Sequence, residues 1–150
     1  MSMNKIEIRN KVRHALMEGK VKKTAAGVLI KCDKTNKIFL MLRSSGGVGG
    51  NTWNLLAGGI EDGETPLEGL KRETKEETKI NPDIIKFKFV NKEFDKERNL
   101  NFHYYKGFTK SQFIPKLDEE NTDYGWFGKD DLPSPLFPKL MDKIDEIWEN

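Results

Sequence analysis

Glu73, Glu76 and Glu77 are spaced so that one helix brings three carboxylates to one side, and they follow the glycine turn Gly58-Gly59-Ile60-Glu61-Asp62-Gly63-Glu64. Glutamates three and four residues apart repel each other on a helix, so something must offset the repulsion. Hard divalent cations do so: they take oxygen ligands, and Mg²⁺ is held by a few carboxylates together with water and substrate phosphates. The competing reading is a solvated acidic face balanced by Lys71, Arg72 and Lys75. The glycine turn ahead of the cluster favours a metal site for phosphate chemistry.

The helix that must carry these groups has a defined start. Thr65 suits the N-cap, Pro66 suits the first helical position, and Glu68 completes a capping-box pattern. With Leu67 set at zero, Leu70 and Thr74 fall within about 60° of it and form the expected buried stripe. Glu73, Glu76 and Glu77 occupy the next sector, at roughly 180–280°, and Lys71 and Lys75 point away. The helix is expected to run to about Thr78, because Asn81 precedes Pro82 and is pushed out of helical geometry.

Gly58, Glu64, Arg72, Glu73, Glu76, Glu77 and Ile80 stand at the spacing of the Nudix box, and the chain resembles the Nudix hydrolases on these residues. Two positions depart from that pattern. Thr74 stands where an apolar residue is usual, and Lys79 where a helix-ending glycine is usual; a left-handed backbone at Lys79 costs about 1 kcal/mol. The resemblance implies that Glu73, Glu76 and Glu77 hold Mg²⁺ or Mn²⁺, joined by backbone carbonyls of Ala57 and Gly58, while Glu64 and Arg72 brace the loop against the helix. It also implies a further glutamate ahead of Trp126 as ligand or base. Glu120 is similar in placement, with Asn121 where a histidine is often found and Glu119 as a close rival; a solvated acidic loop is the plain alternative. The activity implied is hydrolysis of the diphosphate linkage in a nucleoside diphosphate joined to another group: a nucleoside triphosphate, ADP-ribose, a dinucleoside polyphosphate or a nucleotide sugar. A non-catalytic nucleotide sensor of the same fold is the rival.

Substrate contacts are sought outside the box. Arg43, beside a glycine-rich loop, has the fork to grip a phosphate, and Trp53 and Tyr105 offer faces for a nucleobase. Core packing is the stronger expectation for Phe102 and Trp126.

The supporting elements are legible from periodicity. Thr24 to Cys32 and Lys37 to Arg43 read as a core hairpin across Asp33-Lys34-Thr35-Asn36, followed by a gating loop from Ser44 to Asn51. Ile84 to Phe94 and Leu100 to Phe108 alternate as half-buried strands, another strand is expected near Tyr124 to Phe127, and Pro138 to Glu149 reads as an amphipathic closing helix. Asn4 to Glu18 fits helix and strand patterns alike. The fold class is α+β, and the resemblance implies an α/β/α sandwich around a mixed sheet.

A chain of 150 residues fits one domain over 1–150. With 26 basic against 24 acidic residues, the net charge of +2 argues against a broad nucleic-acid surface but not against single nucleotides. One cysteine, Cys32, makes no internal disulfide, no apolar run approaches the ~20 residues needed to cross a bilayer, and Met1 to Lys11 lack the apolar stretch expected of a signal peptide. A cytoplasmic protein is expected. A homodimer through an exposed edge strand or the last helix is an open expectation.

Overall fold

The computed structural model describes residues 5–7, 23–46 and 49–149. The ambiguous segment Asn4 to Glu18 lies outside the described residues apart from 5–7, which are helical. Seven strands form one mixed sheet: β1 (Lys23–Cys32), β2 (Ile38–Arg43), β3 (Trp53–Asn54), β4 (Leu56–Gly59), β5 (Lys86–Asp95), β6 (Leu100–Thr109) and β7 (Asn121–Phe127). Helix α1 spans Pro66–Thr78 and helix α2 spans Leu140–Glu149.

Strand β1 organises the sheet. Along one side it pairs in parallel with β6 over its whole length, from Lys23 opposite Leu100 to Cys32 opposite Thr109. Its other side is divided between two antiparallel partners: β4 takes Ala25 to Val28, and β2 begins at Lys31 opposite Ile38. Strand β7 continues outward from β2, and β5 closes the far side against β6. The run from Ala25 to Ile30 is buried throughout because both faces of β1 are covered, which is why it is apolar without alternation.

The two faces have separate cores. On one, Leu70 of α1 packs with Val28, Ile30, Phe39, Leu56 and Tyr105. On the other, Leu140, Ile144 and Ile147 of α2 pack on Leu29, Ile38, Leu40 and Leu55. A mixed sheet between two helices is the expected α/β/α sandwich.

Several boundaries shift. Ile84 belongs to a short 3-10 turn, Pro82–Ile84, so β5 starts at Lys86. Strand β7 starts at Asn121, because Leu42 and Arg43 hold its polar first residues by backbone pairing. Between Ser44 and Asn51 the chain turns to bring β3 back onto β2, with the Arg43 carbonyl accepting from the Asn51 N–H at 2.9 Å; positions 47 and 48 of this loop lie outside the described residues.

Candidate active site

Helix α1 begins as its sequence dictates. The Thr65 hydroxyl accepts from the Glu68 N–H at 3.1 Å and the Glu68 carboxylate accepts from the Thr65 N–H at 2.9 Å, so two amides at the helix start are satisfied reciprocally. Its end carries the predicted strain: Lys79 is the C-cap at φ 62°, in the left-handed region. The Lys79 ammonium reaches back to the Glu76 carbonyl at 2.7 Å, capping an end carbonyl that glycine would leave to water.

The inward face differs from the expected stripe. Leu70 and Thr74 are buried as predicted, but Glu73 (3% exposed) and Glu77 (1% exposed) are buried with them, while Leu67 sits at the margin of the core. Two carboxylates therefore point toward the sheet, and Glu76 is left at the outer side. Close packing at Gly69 accounts for this rotation. A Cβ there would stand 2.6 Å from Ile60 and 3.0 Å from the Glu64 carboxylate, so its absence lets the turn after β4 close on that side of the helix. The polar side chain at Thr74 is accommodated within the helix: its hydroxyl donates to the Leu70 carbonyl at 2.8 Å, and Thr78 donates to Thr74 at 2.6 Å.

Arg72 ties the cluster together. Its Nε and Nη2 grip the two oxygens of Glu64 at 2.8 and 3.0 Å, a bidentate pair. Nη1 donates to Glu73 at 3.0 Å and Glu76 at 3.1 Å, and Nη2 also donates to the Gly59 carbonyl at 3.1 Å. The hydrogen bonds from Arg72 hold the Glu64 carboxyl below the ordinary glutamate range, and the bonds to Glu64 push the guanidinium further up. Glu64 is fixed from its own side by the Glu61 N–H at 2.9 Å. Lys5 reaches Glu76 at 2.9 Å.

Gly58 completes the cradle. A Cβ at this position would overlap the Glu73 side chain and lie 2.8 Å from Glu73 Oε2, so the strand backbone and the carboxylate meet only because residue 58 has no side chain. Ala57 and Gly58 lie on β4 opposite Gly27 and Ala26 of β1. From β7, the Asn121 amide donates to Glu77 Oε1 across a long 3.4 Å, bringing the chain at 120–121 to the inner end of the helix. Glu120 is buried there, 3% exposed, and its carbonyl accepts from both the Ser44 N–H and the Ser44 hydroxyl.

Glu64, Arg72, Glu73, Glu76 and Gly58 are thus joined in one constellation, with Glu77 linked to the Glu120–Asn121 corner. The two candidate base-stacking residues, Trp53 and Tyr105, lie on opposite faces of the sheet. Tyr105 is buried in the α1-side core, edge-on to Phe89 at 5.5 Å, and burial pushes its phenol up. Trp53 lies on the α2 side, edge-on to Phe127, and its backbone bonds to Pro135 and Phe137. Register explains the separation, since Tyr105 shares its face with Phe89 and α1. Trp126 packs against Phe39 and Phe113, and Phe102 stacks near Tyr104, as the core reading predicts. Arg43 ends β2 opposite Asn121, one residue from Glu120. Sequence reasoning missed the Gly59 carbonyl and Lys5. A second glycine beside Gly58 was a signal for the first; nothing in the pattern pointed to Lys5.

The family model of the NUDIX domain matches residues 21–146. The chain belongs to the Nudix family. An 8-oxo-dGTP diphosphatase from Proteus vulgaris is 40% identical over 65 residues, covering 43% of this chain and 56% of that protein. A nucleoside triphosphate pyrophosphatase/Nudix hydrolase fusion protein from Bifidobacterium longum (strain NCC 2705) is 26% identical over 139 residues, 82% of this chain and 28% of that one. The chain therefore spans about half the length of the first relative and little more than a quarter of the second. Among solved structures, the Nudix hydrolase RenU from M. smegmatis has a TM-score of 0.72 at 16% identity, with 85% of this chain and 86% of that chain covered. The matched span includes the constellation around Arg72.

The donor set suits a hard cation. Among the described residues no three acidic, histidine or cysteine side chains close a metal cage by themselves. Mg²⁺ does not ask for one, since it takes one or two carboxylates and completes its shell with water and phosphate. Buried carboxylate oxygens beside a side-chain-free strand position fit that requirement. No helix among the described residues is long and apolar enough to cross a membrane.

Proposed function

We propose that residues 1–150 act as one divalent-metal-dependent pyrophosphohydrolase domain and that the substrate is a nucleoside triphosphate, cleaved by attack of water at phosphorus. The observation that carries this reading is the pair of buried carboxylates, Glu73 and Glu77, turned toward β4 with Arg72 and Gly58 fixing the first of them. The names of the two relatives, an 8-oxo-dGTP diphosphatase and a nucleoside triphosphate pyrophosphatase fusion, support a triphosphate over the other diphosphate compounds.

Glu73, Glu76 and Glu77, with the Ala57 and Gly58 carbonyls and Glu120, would hold Mg²⁺ or Mn²⁺. Such an ion supplies positive charge to the diphosphate oxygens and acidifies a water. Arg72 and Glu64 act through the others: their bidentate pair sets the height of Glu73 and Glu76 above the strand. One of the buried carboxylates, Glu77 or Glu120, accepts the proton of the attacking water as the new P–O bond forms. The bridging P–O bond between the α and β phosphorus breaks, and its electron pair leaves with the fragment that is not attacked, pyrophosphate or nucleoside monophosphate. Arg43, at the end of β2 opposite Asn121, is the candidate for gripping the remaining phosphates, and Trp53 is the candidate for a base contact. The charge balance of the chain and its enzyme chemistry suit a soluble cytoplasmic protein.

The test is a panel of nucleoside triphosphates, ADP-ribose, dinucleoside polyphosphates and nucleotide sugars assayed with Mg²⁺ and with Mn²⁺. Release of nucleoside monophosphate and pyrophosphate from a triphosphate, abolished by a chelator, is the expected result. Turnover confined to ADP-ribose or nucleotide sugars would overturn the substrate class. Nucleotide binding with thermal stabilisation but no hydrolysis of any compound would replace the enzyme by a sensor.

A further inference from the structure

Strand β5 is ten residues long and ends the sheet: among the described residues, no strand pairs with its outer edge. Such an edge is a ready template for another strand. Proteins usually blunt long edges with charge, and Lys86, Lys88 and Lys92 do this in part, yet Phe89 and Phe94 stand 51% and 52% exposed on the same strand. At the other end of the sheet the outer strand against β2 is β7, seven residues long, and β3 adds two more residues beside β2. Strand β5 is the longer of the two outer strands, ten residues against seven.

The bulge in β5 decides what fits there. Phe89 stands opposite Tyr105 and Asn91 opposite Tyr104, so Val90 is an extra residue and the alternation of faces inverts across it. Before the bulge, Phe87 and Phe89 lie on the α1 side, where Lys71 approaches the Phe87 ring at 6.0 Å. Lys88, opposite Lys106, lies on the α2 side, where the Lys106 ammonium donates to the Trp148 carbonyl. After the bulge, Lys92 and Phe94 take the α1 side, and Glu93 takes the α2 side, where it binds Lys143 at 2.6 Å.

We infer that β5 pairs antiparallel with β5 of a second copy of this chain, about a two-fold axis between Val90 and Asn91. In that register Lys88 faces Glu93 of the copy and Lys86 faces Asp95, all on the α2 side. On the α1 side Phe87 faces Phe94 and Phe89 faces Lys92. Without the extra residue this register would set each side chain opposite one on the other face of the sheet. With it, every facing pair shares a face: two are opposite in charge, one is apolar, one sets an ammonium beside a ring, and at the axis Val90 meets the Asn91 amide. Cross-strand pairs of these kinds stabilise sheets, and like charges oppose them. Each contact occurs twice, as an isologous two-fold interface requires. Glu93 keeps Lys143 in this arrangement, since its side chain is 43% exposed and has room for a second cation. An isologous contact of this kind uses the β5 edge of both chains and so closes at two.

Sedimentation velocity on the full chain from low micromolar concentration upward tests the pairing. A dimer is expected, with dissociation weakened at least tenfold in Lys88→Glu, which sets two glutamates against each other twice per interface and leaves the site around Arg72 untouched. Phe89→Cys and Lys92→Cys, mixed under oxidation, are expected to cross-link to each other: directly opposed Cα atoms lie about 4.5–5.5 Å apart, within disulfide reach. Identical positions are offset by three residues, roughly 10 Å, and are out of reach. Cys32 is buried and does not compete. A monomer at every concentration, an undiminished Lys88→Glu dimer, or self-linking of either cysteine variant as readily as cross-linking would overturn the inference.

Discussion

Helices α1 and α2 cover opposite faces of one sheet and turn opposite kinds of side chain toward it. Helix α2 buries Leu140, Ile144 and Ile147, and its charged groups Lys143 and Glu146 stay near its margin, paired with Glu93 and Asn91. Helix α1 buries Leu70 in company with Glu73, Thr74, Glu77 and Thr78. Burying a carboxylate costs several kcal/mol unless it is paired and hydrogen-bonded, so the inner face of α1 is poor as an adhesive. Its supports come from elsewhere: the capping box, the hydroxyls bonded back into the helix, and a single guanidinium shared by Glu64, Glu73 and Glu76. Helix α2 holds the fold, and α1 holds charges in place.

That division predicts opposite outcomes for substitutions in the two helices. Glu77→Gln is expected to lower turnover by about 10²–10³, some 3–4 kcal/mol of transition-state stabilisation, while the melting temperature stays level or rises because a buried charge is removed. Steady-state kinetics with Mg²⁺ beside calorimetry checks this, and full activity would erase the contrast between the helices. Ile144→Ala should do the reverse, costing about 2–5 kcal/mol in urea unfolding with turnover per folded molecule unchanged.

Arg72 joins the two kinds of effect. Arg72→Lys keeps the charge and loses the fork on Glu64, so a fall of about 1–2 kcal/mol in stability is expected together with reduced turnover at unchanged folding. Acid should reveal the same clamp. Because the hydrogen bonds from Arg72 lower the Glu64 pKa from 4.5, the contribution of that carboxylate is present above its ordinary value and is lost as pH falls through the lower, folded one. Unfolding free energies measured from pH 6 downward should therefore decline, and Glu64→Gln should flatten that part of the decline. The smallest effect is expected at the helix end: Lys79→Gly relieves a left-handed lysine and forfeits one exposed bond, for a net gain of about 0.5–1 kcal/mol.

What the chain disclosed about itself follows the range of the interactions involved. The start of α1 was legible because Thr65, Pro66 and Glu68 act on their immediate neighbours, and the faces of β6 because alternation fixes them. The left-handed backbone at Lys79 was legible from one unusual residue in a spaced pattern. The rotation of α1 was not, since it depends on Ile60 and Glu64 closing against Gly69 across a turn. The start of β7 was hidden because Asn121, Thr122 and Asp123 are polar and enter the sheet through backbone bonds to β2. Tyr105 was ambiguous for a plainer reason: an aromatic ring on a strand has the same signature whether it meets a nucleobase or Phe89.

The contact between Gly58 and Glu73 has a mechanical meaning. A helix resting on a sheet through branched apolar side chains has some play, because those side chains can change rotamer and let it slide or roll by fractions of an ångström. Here a backbone Cα meets a carboxylate with nothing compressible between them, and Arg72 pulls the same group toward Gly59. Strand β4 works as an end stop, and the position of the acid is gauged against a backbone that is itself paired to the central strand β1.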